Sequence, residues 1–509
     1  MRGPHNIWRL VRTGATFERT GAMGVILDAY QAPPLLRLAA RILGWPFQFL
    51  GLKGDAAMPP VPRALQALGP AYIKFGQILS TRPDVVGPEL ALQLRVLQDK
   101  LPPFSQQAAR NAVEQELGQP LESIYTDFSA PVAAASIAQV HRARLAETGA
   151  DVAVKILRPG IERAFRRDVD AFYLAASIIE GLSPSSRRLR PSEVIKHFEG
   201  VVNAELDLRL EAASASEFSA NTQDDPGFRL PAINWMYSTR RVMTMDWAEG
   251  VPLGDNDALD AAGLNRAVLG ERVLTLFLNH ALRDGFFHGD MHQGNLKVSL
   301  DGDIIAYDFG IMGHIDEYTR RVYAEILYGF IKRDYLRVAE VHFEAGYVPH
   351  DRDVDEFARA LRAVGEPIFG MDATRISMGR LLSYLFEVTE RFGMETRTEL
   401  ILLQRTMVVV EGVSRSLNPN INIWQVAQPV VGDYIRKSIG PRALLRDLGR
   451  TAQVMARFGP RLPGLVEKAL SQQMAETPPQ PQRTWRTRML WGGGGLALGL
   501  LVMLLAESF

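Results

Sequence analysis

The tightest constraint on this chain is an ordered set of four short patterns. Val152-Ala153-Val154-Lys155 ends an apolar strand on a lysine. His288-Gly289-Asp290 follows far downstream, and Asn295 comes after four intervening residues. Asp308-Phe309-Gly310 begins thirteen residues beyond Asn295. Between them, Leu296–Leu300 and Ile304–Tyr307 flank Asp301-Gly302-Asp303 as the arms of a hairpin. Each pattern alone reads as a buried strand end or a surface turn. In this order they supply what a nucleoside triphosphate and its cations require. Lys155 reaches the α- and β-phosphates, Asp290 faces the acceptor, and Asn295 and Asp308 hold Mg²⁺. ATP and Mg²⁺ are therefore the expected cofactors.

That order and spacing belong to a protein-kinase-like bilobal fold of the α+β class. Two departures stand out. Where a Gly-x-Gly-x-x-Gly phosphate loop would lie, the chain has Ala133-Ala134-Ala135-Ser136, and alanine resists the positive φ that lets glycines drape over phosphates. No Ala-Pro-Glu follows Asp308, so the usual peptide-docking segment is missing. Phosphotransfer to proteins is not expected. The alternation of His288, Asp290 and His292 also admits a zinc site, but no second cluster at metal spacing completes the shell. His288 reads better as a brace for the loop backbone.

Around this middle the pattern divides the chain. Residues 1–115 read as a helical extension broken at Pro59-Pro60 and Pro102-Pro103. Residues 116–248 form an N-lobe. Its strands are Gln139–Leu145 and Val152–Leu157 about a Thr148-Gly149 turn, helices run from about 160 to 222, and a strand follows at Arg241–Trp247. Asp246, near the end of that strand, is placed with the nucleotide-binding residues. Residues 249–470 form a mainly helical C-lobe with the one hairpin, and 471–488 form a Gln-, Pro-, Thr- and Arg-rich linker. Basic and acidic residues number 57 each, so no concentrated positive surface points to a nucleic-acid partner. The absence of cysteine excludes disulfides, thiolate catalysis and iron–sulfur clusters.

Leu490–Ala506 carries no charge and is expected to form a C-terminal transmembrane helix, slightly short of a full hydrocarbon core, with a buried terminal helix as the alternative. Arg483, Arg486 and Arg488 precede it, which places the bulk of the chain on the cytoplasmic side. No signal peptide is read at the start. Apolar Leu35–Leu52, with Trp45, Phe47 and Phe49, reads as an interfacial contact or a buried helix.

Lys74-Phe75-Gly76-Gln77, then Leu79-Ser80-Thr81-Arg82-Pro83-Asp84 and Leu97-Gln98-Asp99, resembles the amino-terminal extension of the UbiB family, the ADCK-type atypical kinases. The alanine run, continuing as Ser136-Ile137-Ala138-Gln139-Val140-His141, resembles that family's substitute for the glycine loop. Glu205-Leu206-Asp207 with Glu211 resembles its Glu-x-Asp helix. The resemblance is dense from about 60 to 320 and thinner to 470. It implies an extension, carrying Lys74 and Gln77, that lies over the active site in a regulatory role. It also implies ATP binding or hydrolysis that supports ubiquinone biosynthesis at a bacterial inner membrane. Membrane lipids and isoprenoid quinone precursors are the implied partners, with other ubiquinone-biosynthesis proteins beside them.

On a continuous helix, Glu205 and Glu211 point about 120° apart while Asp207 and Glu211 share a face. Glu211 is then expected to pair with Lys155, leaving Glu205 to turn toward Lys74, which is expected to reach one of the two carboxylates Glu205 and Asp207. Three functions stay in play: an atypical kinase or ATPase, a phosphotransferase on a small lipid-like molecule, and a nucleotide-gated scaffold. The full Lys, Asp, Asn and Asp set argues against the scaffold.

Overall fold

The computed structural model describes residues 4–29, 34, 37–38, 45–80, 86–94, 96–97, 102–135, 137–182, 190–370, 384, 387–388, 391–394 and 398–438. Ser136, the Arg82-Pro83-Asp84 and Gln98-Asp99 stretches, the 471–488 linker and the Leu490–Ala506 run lie outside them. Among the described residues no helix is long and apolar enough to cross a membrane. The chain divides into two compact units, Met1–Ile435 and Arg436–Phe509.

The first unit is kinase-like and bilobal. Its N-lobe is an antiparallel five-stranded sheet: β1 (Tyr125–Thr126), β2 (Pro131–Ala134), β3 (Ala138–Leu145), β4 (Asp151–Leu157) and β6 (Val242–Asp246). In β4 the apolar residues are buried on both faces, because the sheet is covered on both sides. Lys155 is the polar interruption. The register sets Ala133 opposite Val140, Val140 opposite Lys155, and Lys155 opposite Met243. Residues opposite one another share a face, so this row runs straight across the sheet.

The extension packs on that lobe through helices Pro4–Thr20 and Pro70–Ser80, which both meet helix Ile161–Leu182, while helix Pro60–Leu68 packs against them from within the extension. Phe75, Phe172 and Phe198 form an aromatic cluster with ring centroids 5.1–5.8 Å apart. Burial of a Phe stabilises by about 1.5–3 kcal/mol, so this contact ties the extension firmly to helices Ile161–Leu182 and Pro191–Glu205. Gly76 has a packing reason: a Cβ there would stand 2.4 Å from Leu97 Cδ1 and 2.7 Å from Leu65 Cδ1. Of the Leu35–Leu52 stretch, residues 35–36 and 39–44 lie outside the described residues, and Trp45–Leu50 is a 3₁₀ helix with Phe47 and Phe49 exposed.

The C-lobe is more than helices and one hairpin. The expected hairpin is present as β9 (Leu296–Val298) and β10 (Ile304–Ala306), with Gly302 at φ 90° in its turn. β5 (Phe228–Arg229) and β7 (Val251–Pro252) extend it to four strands. A separate pair, β8 (Phe286–His288) and β11 (Met312–His314), was not expected. Leu296, Val298 and Ile304 sink into a core with Phe218, Phe277 and Phe287. Helix Thr398–Leu417 packs against helix Arg266–Asn279 and closes that core from below.

Candidate nucleotide site

The site is built where Lys155 of β4 meets Glu211 and Asp308, the latter just past β10. Lys155 Nζ donates to Glu211 Oε1 at 2.6 Å, and its side chain is only 14% exposed. The same ammonium lies 3.7 Å from Asp308 Oδ2. Burial alone would lower the Lys155 pKa, but Asp308 and Glu211 outweigh it and hold the ammonium charged above its ordinary value. Burial likewise works to raise the Asp308 carboxyl, while Lys155 and the Gly310 N–H keep it below its ordinary value. The Asp308 carboxyl is therefore ionised.

Asp290 and Asn295 are locked together. Asn295 Nδ2 donates to the Asp290 carbonyl at 3.0 Å, so its oxygen is the atom left to face a metal. His288 is buried, and burial lowers its pKa. Its Nδ1 accepts the Asp290 N–H at 3.0 Å, which fixes the turn carrying the acid. His292 is half exposed, takes the Gly294 N–H on Nδ1 and sets Nε2 3.6 Å from Asp290 Oδ2. Both imidazoles serve the loop backbone. Among the described residues no group of three His, Cys, Asp or Glu converges as a metal cage. Mg²⁺ takes one or two protein oxygens and fills its octahedron with phosphates and water, so Asp308 and Asn295 fit it.

The remaining sequence-chosen residues separate. Ala133 lies in Lys155's cross-strand row, while Ala134 pairs with Gln139 one step along. The Ala135 N–H donates to the Ala138 carbonyl at 2.8 Å, so the alanine run is a strand ending in a tight hairpin, not a draped loop. Ala133, Ala134 and Ala135 all keep negative φ. Asp246 ends β6 exposed, its carboxylate accepting the Ala232 N–H, three register positions from Lys155's partner Met243. Its carboxylate is not among the groups paired with Lys155, which are Glu211 and Asp308.

Lys74 Nζ lies 2.7 Å from Glu205 Oε1, both nearly buried, and Glu205 adds to the field that keeps Lys155 charged. Gln77 Nε2 donates to the Leu97 carbonyl at 3.4 Å, within the extension. The continuous helix needs correction. One helix ends at Glu205 and a second, Leu208–Thr222, starts with Asp207 as its N-cap. Asp207 accepts the Arg209 N–H and pairs with the Arg209 guanidinium, so it meets neither Lys74 nor Glu211's face.

Sequence reasoning missed the loop's supports. Buried Thr406 donates to the Gly289 carbonyl at 3.0 Å, Gln293 Nε2 bonds Ser416 Oγ, and the Tyr307 hydroxyl donates to the Gly294 carbonyl. The one signal for Thr406 is a hydroxyl on an otherwise apolar helix face. Lys297 was also missed: it donates to the Ala248 carbonyl at 2.7 Å and packs over the Trp247 ring.

Comparisons with known proteins agree with this geometry. The family model described as ABC1 atypical kinase-like domain matches residues 96–342, and that of the UbiB helical domain matches 361–422. A Marinobacter nauticus protein named "Probable protein kinase UbiB" is 40% identical over 452 residues, 86% of this chain and 82% of the relative. A Tolumonas auensis protein of the same name is 38% identical over 519 residues, 98% of this chain and 94% of its own length. Among solved structures, a Mycobacterium tuberculosis protein in complex with erythromycin superposes with a TM-score of 0.51 at 26% identity, covering 70% of this chain and 90% of that one. On fold, site and relatives together, the chain belongs to the UbiB family of atypical kinases.

Proposed function

We propose that the chain binds Mg²⁺·ATP between its lobes and acts as an atypical kinase or ATPase supporting ubiquinone biosynthesis. The observation that carries this reading is Lys155, held by Glu211 at 2.6 Å and poised 3.7 Å from Asp308. A buried ammonium between two carboxylates is prepared for phosphate oxygens, and Asp308 is prepared to exchange it for a cation. Asp290 accepts the acceptor's proton, and Asn295 and Asp308 hold Mg²⁺, which would neutralise charge on the transferring phosphoryl group. The ubiquinone assignment rests on the family. Incubation with γ-labelled ATP, Mg²⁺ and isoprenoid-quinone precursors in liposomes tests it. Label in water or lipid that disappears with Asp290→Asn supports the reading, and no turnover in either fraction refutes it.

The membrane part of the proposal rests on the uncharged Leu490–Ala506 run and the three arginines before it. Quinone precursors carry long hydrocarbon tails, so an enzyme acting on them gains from being held at the bilayer. A chain ending before Arg483 should still bind ATP but leave the membrane fraction. Retention of that shortened chain after a high-salt wash would contradict the run's role as sole anchor.

A further inference from the structure

A recess of about 470 Å³ opens beside the catalytic loop, lined by His292, Gln293 and Gly294 on one wall and by Val409, Gly412 and Val413 of helix Thr398–Leu417 on the other. On a helix, positions separated by three and four lie on one face, so the second wall is a single ridge of that helix. We infer that this recess is the acceptor subsite, and that it takes the uncharged hydrocarbon body of a hydroxyl-bearing acceptor. The inference rests on the nucleotide-site reading and adds to it the place and class of the acceptor.

Three observations carry the inference. The first is position: His292 lines the recess and its Nε2 is 3.6 Å from Asp290 Oδ2, so an acceptor seated there is one side chain from the base. The second is rigidity. Gln293 is bonded to Ser416 of the facing helix, the Gly294 carbonyl takes the Tyr307 hydroxyl, and Thr406 of the same helix holds the Gly289 carbonyl. Both walls are therefore fixed before any ligand arrives, which lowers the ordering cost of binding.

The third is chemistry. Two valines and two glycines line the recess together with a neutral amide and one imidazole, and no carboxylate is among them. None of the lining residues carries a carboxylate or an ammonium; the loop wall is polar and the helix wall of Val409, Gly412 and Val413 is apolar, so the recess suits an uncharged body with one polar end. Gly412 keeps the space open: a Cβ at that position meets nothing within 4 Å. A larger side chain there would enter the recess without disturbing the core.

The test is photolabelling of the full-length protein with a diazirine-bearing C15 isoprenoid alcohol, in the presence of Mg²⁺ and a non-hydrolysable ATP analogue, with labelled peptides mapped by mass spectrometry. Label should fall on peptides containing 292–294 or 409–413, be competed by farnesol, and drop at least tenfold in Gly412→Leu. Thermal stabilisation by Mg²⁺·ATP, measured in parallel, reports whether the variant is folded. Should Gly412→Leu fail to fold, Val409→Asp, at a half-buried position, is expected to give the same loss by placing a charge in the apolar wall. Label confined to other segments, label undiminished in the folded variant, or competition by a basic peptide but not by farnesol overturns the subsite. Absence of Mg²⁺·ATP stabilisation in the wild type strikes the nucleotide reading instead, so the two failures are distinguishable.

Discussion

Replacing Glu211 by Gln removes the closest partner of a buried ammonium. At 2.6 Å and an effective dielectric of about 20, the gross attraction between these charges is about 6 kcal/mol. Much of that offsets desolvation already incurred, and losing one member of a buried pair typically costs about 3–5 kcal/mol net. Here Asp308 remains 3.7 Å away to receive Lys155, and it is 44% exposed, so the loss should fall to about 2 kcal/mol. At about 2.1 cal/mol/K of unfolding entropy per residue, a chain of this size should then melt about 2 °C lower. The functional effect is larger in consequence. Lys155 drawn fully onto Asp308 occupies the carboxylate meant for Mg²⁺, so Mg²⁺·ATP affinity should fall at least tenfold, or about 1.4 kcal/mol. Differential scanning fluorimetry with a magnesium–nucleotide titration reads both numbers. Wild-type affinity with an unchanged melting point would refute the argument that Glu211 sets where Lys155 points.

Three more outcomes are expected. Lys74→Ala leaves Glu205 nearly buried beside the lysine's empty place, and should raise amide hydrogen exchange in Pro70–Ser80 and Pro191–Glu205 while the β3–β4 hairpin stays protected; unchanged exchange in both helices contradicts the pairing's role. Ala133→Gly frees the backbone in Lys155's cross-strand row and should change nucleotide preference or switch on autophosphorylation, and neither change in a folded variant means that the strand does not touch nucleotide. For Asp225, burial alone would raise the carboxyl, but bonds from His280 at 3.0 Å and Arg283 at 2.5 Å outweigh it and hold it well below the carboxylate range. A depressed folded pKa gives stability that is full above the unfolded value of about 3.9 and lost as pH falls through the folded one. The melting-point gap between wild type and Asp225→Asn should therefore begin to narrow below about pH 4 and go on narrowing as pH falls toward the folded value, and a constant gap contradicts the linkage.

The parts of this molecule that motifs encode were readable in the sequence. The β4 lysine, the β9–β10 hairpin and the Asp290–Asn295 loop carry short patterns whose spacing survives any tertiary context. The pairings of Lys155 with Glu211 and of Lys74 with Glu205 were anticipated, though through a helix that does not exist. Asp207 breaks it by capping the next helix, and an aspartate ahead of an apolar run was the available signal. Strands β5, β7, β8 and β11 have two or three residues each, too few for alternation to show. The supports from Thr406, Ser416 and Tyr307 come from elements distant in sequence and carry no motif. From sequence the alanine run reads as a loop because it stands where a glycine loop would lie. Its pairing with β3 follows from the sheet register, which only the folded chain supplies.

Equilibrium binding of labelled ATP to the full-length chain, with and without Mg²⁺, in wild type and Asp308→Asn, tests the central claim most directly. Asp308 is the carboxylate that both faces Lys155 and would hold the cation. The account predicts saturable, Mg²⁺-dependent binding in the wild type and its loss in the variant. Full magnesium-dependent binding by Asp308→Asn would contradict it.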